Sequence, residues 1–219
     1  MPGHTALVTG GAGGLGRAVV DALLADSWRV VVPVKTGSDL EEHPGLSTVV
    51  ADLTDPDDVA RVVRTAGDVR TLVNLVGGFA ADQPVATTPI DEFERLFALN
   101  LRPTYLMTQA VLPHLQGAGG GSIVCTGSAS ALTPFAGASG YTASKAAVIA
   151  FAKAVAEEGR EHGIRCNVIL PTVIDTPVNR ETMPESEWPK LVPPGRIASV
   201  VAFLCSDRSS AINGAEIRV

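Results

Sequence analysis

Aromatic residues make up only 5% of the 219-residue chain, charged residues 18%, and cysteine occurs three times. Each scarcity excludes something. With so few rings the core has to be built from Val, Ala, Leu and Ile, which suits strands buried on both faces. Cys125, Cys166 and Cys205 are odd in number and widely spaced, so they form neither a disulfide framework nor a CxxC pair. They read as buried free thiols in a reducing cytoplasm. No apolar run reaches the roughly 18 residues that a membrane span needs. No basic n-region and apolar h-region mark a signal peptide. His4, His43, His114 and His162 lack metal-ligand spacing, so no metal is expected. Basic runs are missing too. With 17 basic against 23 acidic residues the net charge is −6, which argues against nucleic acid as a partner. An apolar fraction of 46% excludes disorder as a description of the whole chain.

What is present is an alternation. Strand-like segments are Thr5–Thr9, Arg29–Val34, Thr48–Ala51, Thr71–Val76, Ser122–Thr126, Arg165–Leu170 and Ala215–Val219. Between them lie helix-period segments at Leu15–Ala25, Asp55–Ala66, Pro89 to about Leu115, Gly140–His162 and Ile197–Cys205. This pattern predicts an α/β fold, a doubly wound parallel sheet of Rossmann type in three α/β/α layers. The length suits one domain, 1–219, and no linker or repeat divides it. Ligands in such sheets bind beyond the carboxyl ends of the strands.

After the first strand comes Thr9-Gly10-Gly11-Ala12-Gly13-Gly14-Leu15-Gly16, which runs into a helix. Gly11, Gly13 and Gly16 fit GxGxxG, and Gly10, Gly14 and Gly16 fit TGxxxGxG. Without Cβ atoms such a loop lets a pyrophosphate approach the backbone at a helix N-terminus. After the second strand the residues are Lys35 and Thr36, and the first acid, Asp39, comes only later. A missing carboxylate removes repulsion of a ribose 2′-phosphate, and Lys35, with Arg17 as a second cation, can pair with it. NADP is therefore the expected cofactor, with NAD as the alternative. Asp52 and Leu53, after the third strand, are placed to meet adenine.

Tyr141 and Lys145 lie four apart at the start of a helix, on one face. An ammonium beside a phenol lowers the phenol's pKa, which makes an acid/base device, although the spacing alone is common. Ser128 follows the fifth strand, and Asn100 is a polar residue in an apolar helical stretch.

In these residues, together with Asn74, Asn167 and Pro171, the chain resembles the short-chain dehydrogenase/reductase family in its single-domain form, similar to 3-oxoacyl-carrier-protein reductase-like members. The resemblance implies four catalytic residues. Tyr141 exchanges a proton with the substrate oxygen. Lys145 lowers the Tyr141 pKa and holds the nicotinamide ribose. Ser128 polarises the oxygen, and Asn100 holds a water in a relay to Lys145. Hydride then moves between nicotinamide and a ketone or secondary alcohol. Gly10, Gly13, Gly14, Leu15, Gly16, Lys35, Asp52, Leu53, Asn74, Val76, Gly77, Tyr141, Lys145, Pro171, Ile174 and Thr176 form the implied cofactor site. The usual Asn-Asn-Ala-Gly is here Asn74-Leu75-Val76-Gly77, and Pro-Gly is Pro171-Thr172.

The resemblance implies a substrate lid at about 178–195, with Trp188 as its large apolar residue. Phe79, Leu132 and Phe135 are further pocket candidates, pointing to an apolar carbonyl or alcohol; Trp188 and Phe135 equally suit anchoring of their own loops. Arg180 suits an anionic substrate or plain solvation. A homodimer or homotetramer is implied, packed through the helices around Asn100 and Tyr141. Epimerase or dehydratase relatives and a non-catalytic dinucleotide sensor or scaffold stay open as alternatives. Fuller members of the family run longer, so a small lid, an open pocket and little C-terminal tail are expected.

Overall fold

The apolar runs of the sequence pair side by side. The structure, a computed structural model, describes residues 4–37, 40–81 and 83–219. Among the described residues seven strands form one sheet: β1 (Thr5–Thr9), β2 (Arg29–Val34), β3 (Leu46–Val50), β4 (Val69–Asn74), β5 (Gly121–Thr126), β6 (Ile164–Leu170) and β7 (Glu216–Arg218). Their order is β3-β2-β1-β4-β5-β6-β7, and all neighbours run parallel. The expected Rossmann-type sheet is therefore present. Strand order reverses between β1 and β4, where such sheets open a crevice. Register levels the strand ends there: Thr9 pairs with Asn74, Asn74 with Cys125, and Cys125 with Val168.

Helices α1 (Gly14–Ala25), α2 (Pro56–Ala66), α3 (Ile90–Asn100), α4 (Arg102–Gly117), α5 (Ser139–Glu158), α6 (Pro177–Thr182) and α7 (Pro194–Cys205) join the strands. Alternate strand residues feed two buried layers. Leu7, Val31, Leu72 and Ile123 pack with α2, α4 and α5. Ala6, Val8, Val30 and Val124 pack with α1 and α7. A central strand apolar on both faces needs both helix layers to leave water. None of the helices among the described residues is long and apolar enough to cross a membrane.

The helical stretch expected from Pro89 to about Leu115 is two helices, α3 and α4, broken at Leu101. Pro103 explains the break. It has no N–H to give the Leu99 carbonyl, and its ring fits only a first helical turn. The interruption leaves Asn100, fully buried, at the end of α3. Elsewhere the expected start of α2 holds: Asp55 caps it, accepting from the N–H groups of Asp57 at 2.8 Å and Asp58 at 3.3 Å.

The C-terminal segment is sewn on by side-chain amides. Asn167 donates from Nδ2 to the Ile212 carbonyl at 2.9 Å and accepts from the Ala215 N–H at 3.0 Å. Asn213 links Cys166 N–H and the Ala156 carbonyl, at 2.9 Å each. Asn167→Ala leaves a backbone donor and acceptor unpaired, and should cost about 3 kcal/mol in urea unfolding. A loss under about 1 kcal/mol would mean that water replaces both bonds.

Candidate active site

The glycine loop is a backbone surface because side chains do not fit. A Cβ at Gly16 would lie 2.1 Å from the Gly10 carbonyl oxygen. Gly10 has φ 69°, and its Cβ would sit 3.1 Å from the backbone of Leu75 and Val76. A Cβ at Gly14 would meet Thr176 Cγ2 at 2.7 Å, so the loop abuts the segment after β6. The N-cap of α1 is Gly13, which brings no capping side chain, and the first turn of α1, which includes Leu15, carries no acid. That end of the dipole is left for an anion.

Beside the loop is a cavity of about 270 Å³ lined by Gly10, Gly13, Lys35, Asp52, Leu53 and Val76 among others. The N–H and hydroxyl of Thr54, at 2.9 and 2.8 Å from Asp52 Oδ1, hold that carboxyl below its usual range. Lys35 adds a weaker pull in the same direction. A loop that excludes side chains, next to a cavity with an exposed cation, fits a dinucleotide. Asp39 lies outside the described residues.

Tyr141 and Lys145 occupy the first turns of α5 as expected, but the ammonium is turned to another partner. Lys145 is 5% exposed, and its Nζ donates to the Thr126 carbonyl at 2.9 Å. Burial brings it down to about 8, with Cys125 opposing weakly. The spacing predicts a phenol lowered by this lysine; in the structure burial raises the Tyr141 pKa, and a hydrogen bond with Ser128 partly opposes it. Desolvation outweighs that one hydrogen bond. Ser128 is buried at the end of the β5 segment, and its hydroxyl lies 2.9 Å from that of Ser130.

The Asn100 side chain is fully engaged with protein. Its Oδ1 accepts from Gly78 N–H at 2.8 Å, and Nδ2 donates to the Gly78 carbonyl at 3.1 Å and to Ser144 Oγ at 3.0 Å. Both amide donors are therefore committed to protein, and the side chain clamps the segment after β4 to α5. Gly77 lies in this corner: a Cβ there would be 2.6 Å from Asn100 Oδ1 and 3.1 Å from Lys145 Nζ.

Three further cofactor candidates have side chains or carbonyls already engaged. Asn74 points inward, donating to Thr108 Oγ1 at 3.2 Å, so only its backbone is left for the crevice. The Ile174 carbonyl accepts from Thr176 N–H and from Asn179 Nδ2, at 2.9 and 2.7 Å. The Thr176 hydroxyl caps α6 through Asn179 N–H. Buried Pro171 accepts from Ala129 N–H at 2.9 Å, which fixes the residue after Ser128.

Among the pocket candidates, Phe79 meets Tyr141 edge-on at 4.9 Å and Phe135 at 6.5 Å. Leu132 is exposed just past the short turn Ala129–Ala131. Trp188 lies under the Arg180 guanidinium, 4.8 Å from ring centroid to carbon, a contact that anchors its own loop. Arg180 is held twice by Asp175, at 2.5 and 2.7 Å. Sequence reasoning missed Thr9 and Ser144. The Thr9 hydroxyl accepts from Leu75 N–H at 3.1 Å, and Ser144 donates to the Tyr141 carbonyl at 2.8 Å. Their only signal was position, inside the glycine-loop and Tyr–Lys motifs.

Residues 4–187 match the family model for short chain dehydrogenase. The chain belongs to the short-chain dehydrogenase family. It is 32% identical to 2-(R)-hydroxypropyl-CoM dehydrogenase of Xanthobacter autotrophicus, over 98% of this chain and 96% of that protein. It is 34% identical to carbonyl reductase [NADPH] 2 of Sus scrofa, over 99% and 95%. The 3-ketoacyl-(acyl-carrier-protein) reductase of Brucella melitensis, complexed with NADH, has a TM-score of 0.88 at 28% identity, covering 100% of this chain and 97% of that one. As a short-chain dehydrogenase the protein is an NAD(P)-dependent oxidoreductase acting between alcohol and ketone.

The buried lysine has a measurable signature. Its folded pKa, about 8, is below the ordinary 10.5. Between pH 8 and 10 the unfolded chain holds a proton that folded Lys145 has released. Stability contributed by this group therefore rises with pH, by about 2 kcal/mol across that window. The raised Tyr141 works the other way only above pH 10. Lys145→Met should be the more stable protein at pH 8, with the advantage shrinking toward pH 10; an advantage independent of pH in urea unfolding would refute the shift.

Proposed function

We propose that this chain transfers hydride between NADP(H) and a ketone or secondary alcohol, with Tyr141 exchanging the proton at the substrate oxygen. The observation that carries the reading is that the segment after β4 starts against the glycine loop, Leu75 and Val76 beside Gly10, and runs on to Gly77 beside Asn100 and Lys145 and to Phe79 against the Tyr141 ring. The cofactor supplies hydride donor and acceptor chemistry when bound. The chain supplies position and protons. In the reductive direction the carbonyl oxygen gains negative charge, Ser128 donates to it, and the Tyr141 O–H protonates it. A phenol is protonated at neutral pH, and burial strengthens its hold on that proton, so the resting site has one to give. Lys145, committed to Thr126 in this state, would turn to the nicotinamide ribose.

Gly10, Gly13, Gly14, Leu15 and Gly16 would hold the pyrophosphate; Asp52 and Leu53 the adenine; Val76, Gly77 and the Asn74 backbone the ribose side; Pro171, Ile174 and Thr176 the nicotinamide side. The preference for NADP over NAD rests on Lys35, which lines the cavity where β2 ends. The relatives differ on this point: the Sus scrofa enzyme is named for NADPH, and the Brucella melitensis enzyme is complexed with NADH. We read residues 1–219 as one dinucleotide-binding domain with its lid at about 178–195. Exposed Ile90, Phe93 and Tyr105 on α3 and α4 support a homodimer or homotetramer. Three free, buried cysteines support the cytoplasm.

Tyr141→Phe should lower kcat for any ketone that is turned over by about 10²–10⁴-fold while NADPH still binds. Undiminished turnover would remove Tyr141 from proton transfer. Lys35→Ala should weaken NADPH binding by about tenfold and NADH much less. Equal loss for both cofactors, read by titration of cofactor fluorescence, would sink the 2′-phosphate assignment.

A further inference from the structure

We infer that Phe79 is a specificity-determining residue and that the preferred substrate presents to it a flat, uncharged, unsaturated ring beside the reacting carbonyl. The inference rests on the oxidoreductase reading of Tyr141.

Phe79 is 64% exposed, which is far more than a ring used for packing would be. Scattered exposed apolar residues carry no meaning, but this one has company. Phe135 is 52% exposed with its ring 6.5 Å away, tilted by 32°, and Leu132 from the same stretch is 42% exposed. On its other side Phe79 meets the ring of Tyr141 at 4.9 Å and 79°, an edge-to-face contact. An apolar wall with open faces thus stands against the phenol that would protonate the substrate. A carbonyl seated at Tyr141 brings the carbon skeleton next to it onto this wall.

The wall is held rigidly. Phe79 follows Gly78, whose N–H and carbonyl are both taken by the buried Asn100 amide. A Cβ at Gly78 would meet Leu99 Cδ2 at 2.4 Å, so the backbone lies hard against α3. A ring that rises from so fixed a backbone and meets the Tyr141 ring edge-on offers a defined face. Rigid aromatic groups gain most from it, through stacked or edge-on geometry, while a flexible chain must give up rotamer freedom for the same contact. Charge is disfavoured for a separate reason. The two cations between Pro177 and Lys190 are engaged within the lid: Arg180 by Asp175 and the Trp188 ring, and Lys190 by Glu187 at 2.8 Å. An anionic substrate would have to break one of these pairs.

The test compares tetralone with an acyclic ketone of the same carbon count, in the wild type and in Phe79→Leu and Phe79→Tyr. Phe79→Leu keeps apolar bulk without the ring; Phe79→Tyr keeps the ring. Wild type is expected to favour tetralone by about tenfold or more in kcat/KM. Phe79→Leu should lose most of that ratio, chiefly through KM, and Phe79→Tyr should keep it. If the acyclic ketone is used as well as tetralone, or if Phe79→Leu leaves the ratio unchanged, the ring inference falls and the oxidoreductase reading stands. If a broad panel of carbonyl compounds is not reduced with either cofactor, the Tyr141 reading falls and takes the inference with it.

Discussion

The seam between β1 and β4 is the constraint on which the site depends. At this point strand order reverses and the crevice opens. The two strand ends must also touch: the Thr9 hydroxyl holds Leu75 N–H, and Gly10 lies so close to Leu75 and Val76 that a Cβ would be crowded at 3.1 Å. Everything downstream inherits that approach. Val76 lines the cavity, Gly77 lies between Asn100 and Lys145, and Gly78 is clamped so that Phe79 emerges against Tyr141. A run of five residues after β4 thereby serves the cofactor side at one end and the substrate side at the other.

Burial of polar groups is what sharpens this corner. Asn100 is fully buried, and it satisfies its amide with Gly78 and Ser144 rather than with solvent. Lys145 is buried almost as deeply, so it loses basicity and takes a backbone carbonyl as partner. Tyr141 loses water too, and its phenol becomes a weaker acid.

Much of the fold was legible because parallel sheets write themselves plainly: Val-rich runs, a glycine loop after the first, and helical periods between them. The α3–α4 break was missed because an apolar period runs through Pro103 without a gap, and a proline at the first turn of a new helix looks like one inside an old helix. Among site residues, the motif positions came together. The Trp188 indole meets Arg180, a cation–π partner that no linear spacing announces.

Composition and pattern alone determined the layer architecture and the place of the glycine loop, while the grouping of Tyr141, Lys145, Ser128 and Asn100 came from resemblance to the short-chain dehydrogenase/reductase family. The first two depend on period, turn chemistry and short-range order, which are properties of neighbours along the chain. Tertiary structure decided what each of those groups faces. That Lys145 bonds Thr126, that the Asn100 amide clamps Gly78, that Asn74 turns inward, and that Phe79 stands open beside the phenol all follow from contacts between strands and helices distant in sequence. Desolvation sets the direction of the two pKa shifts, and burial is a property of the packed molecule that no local spacing contains.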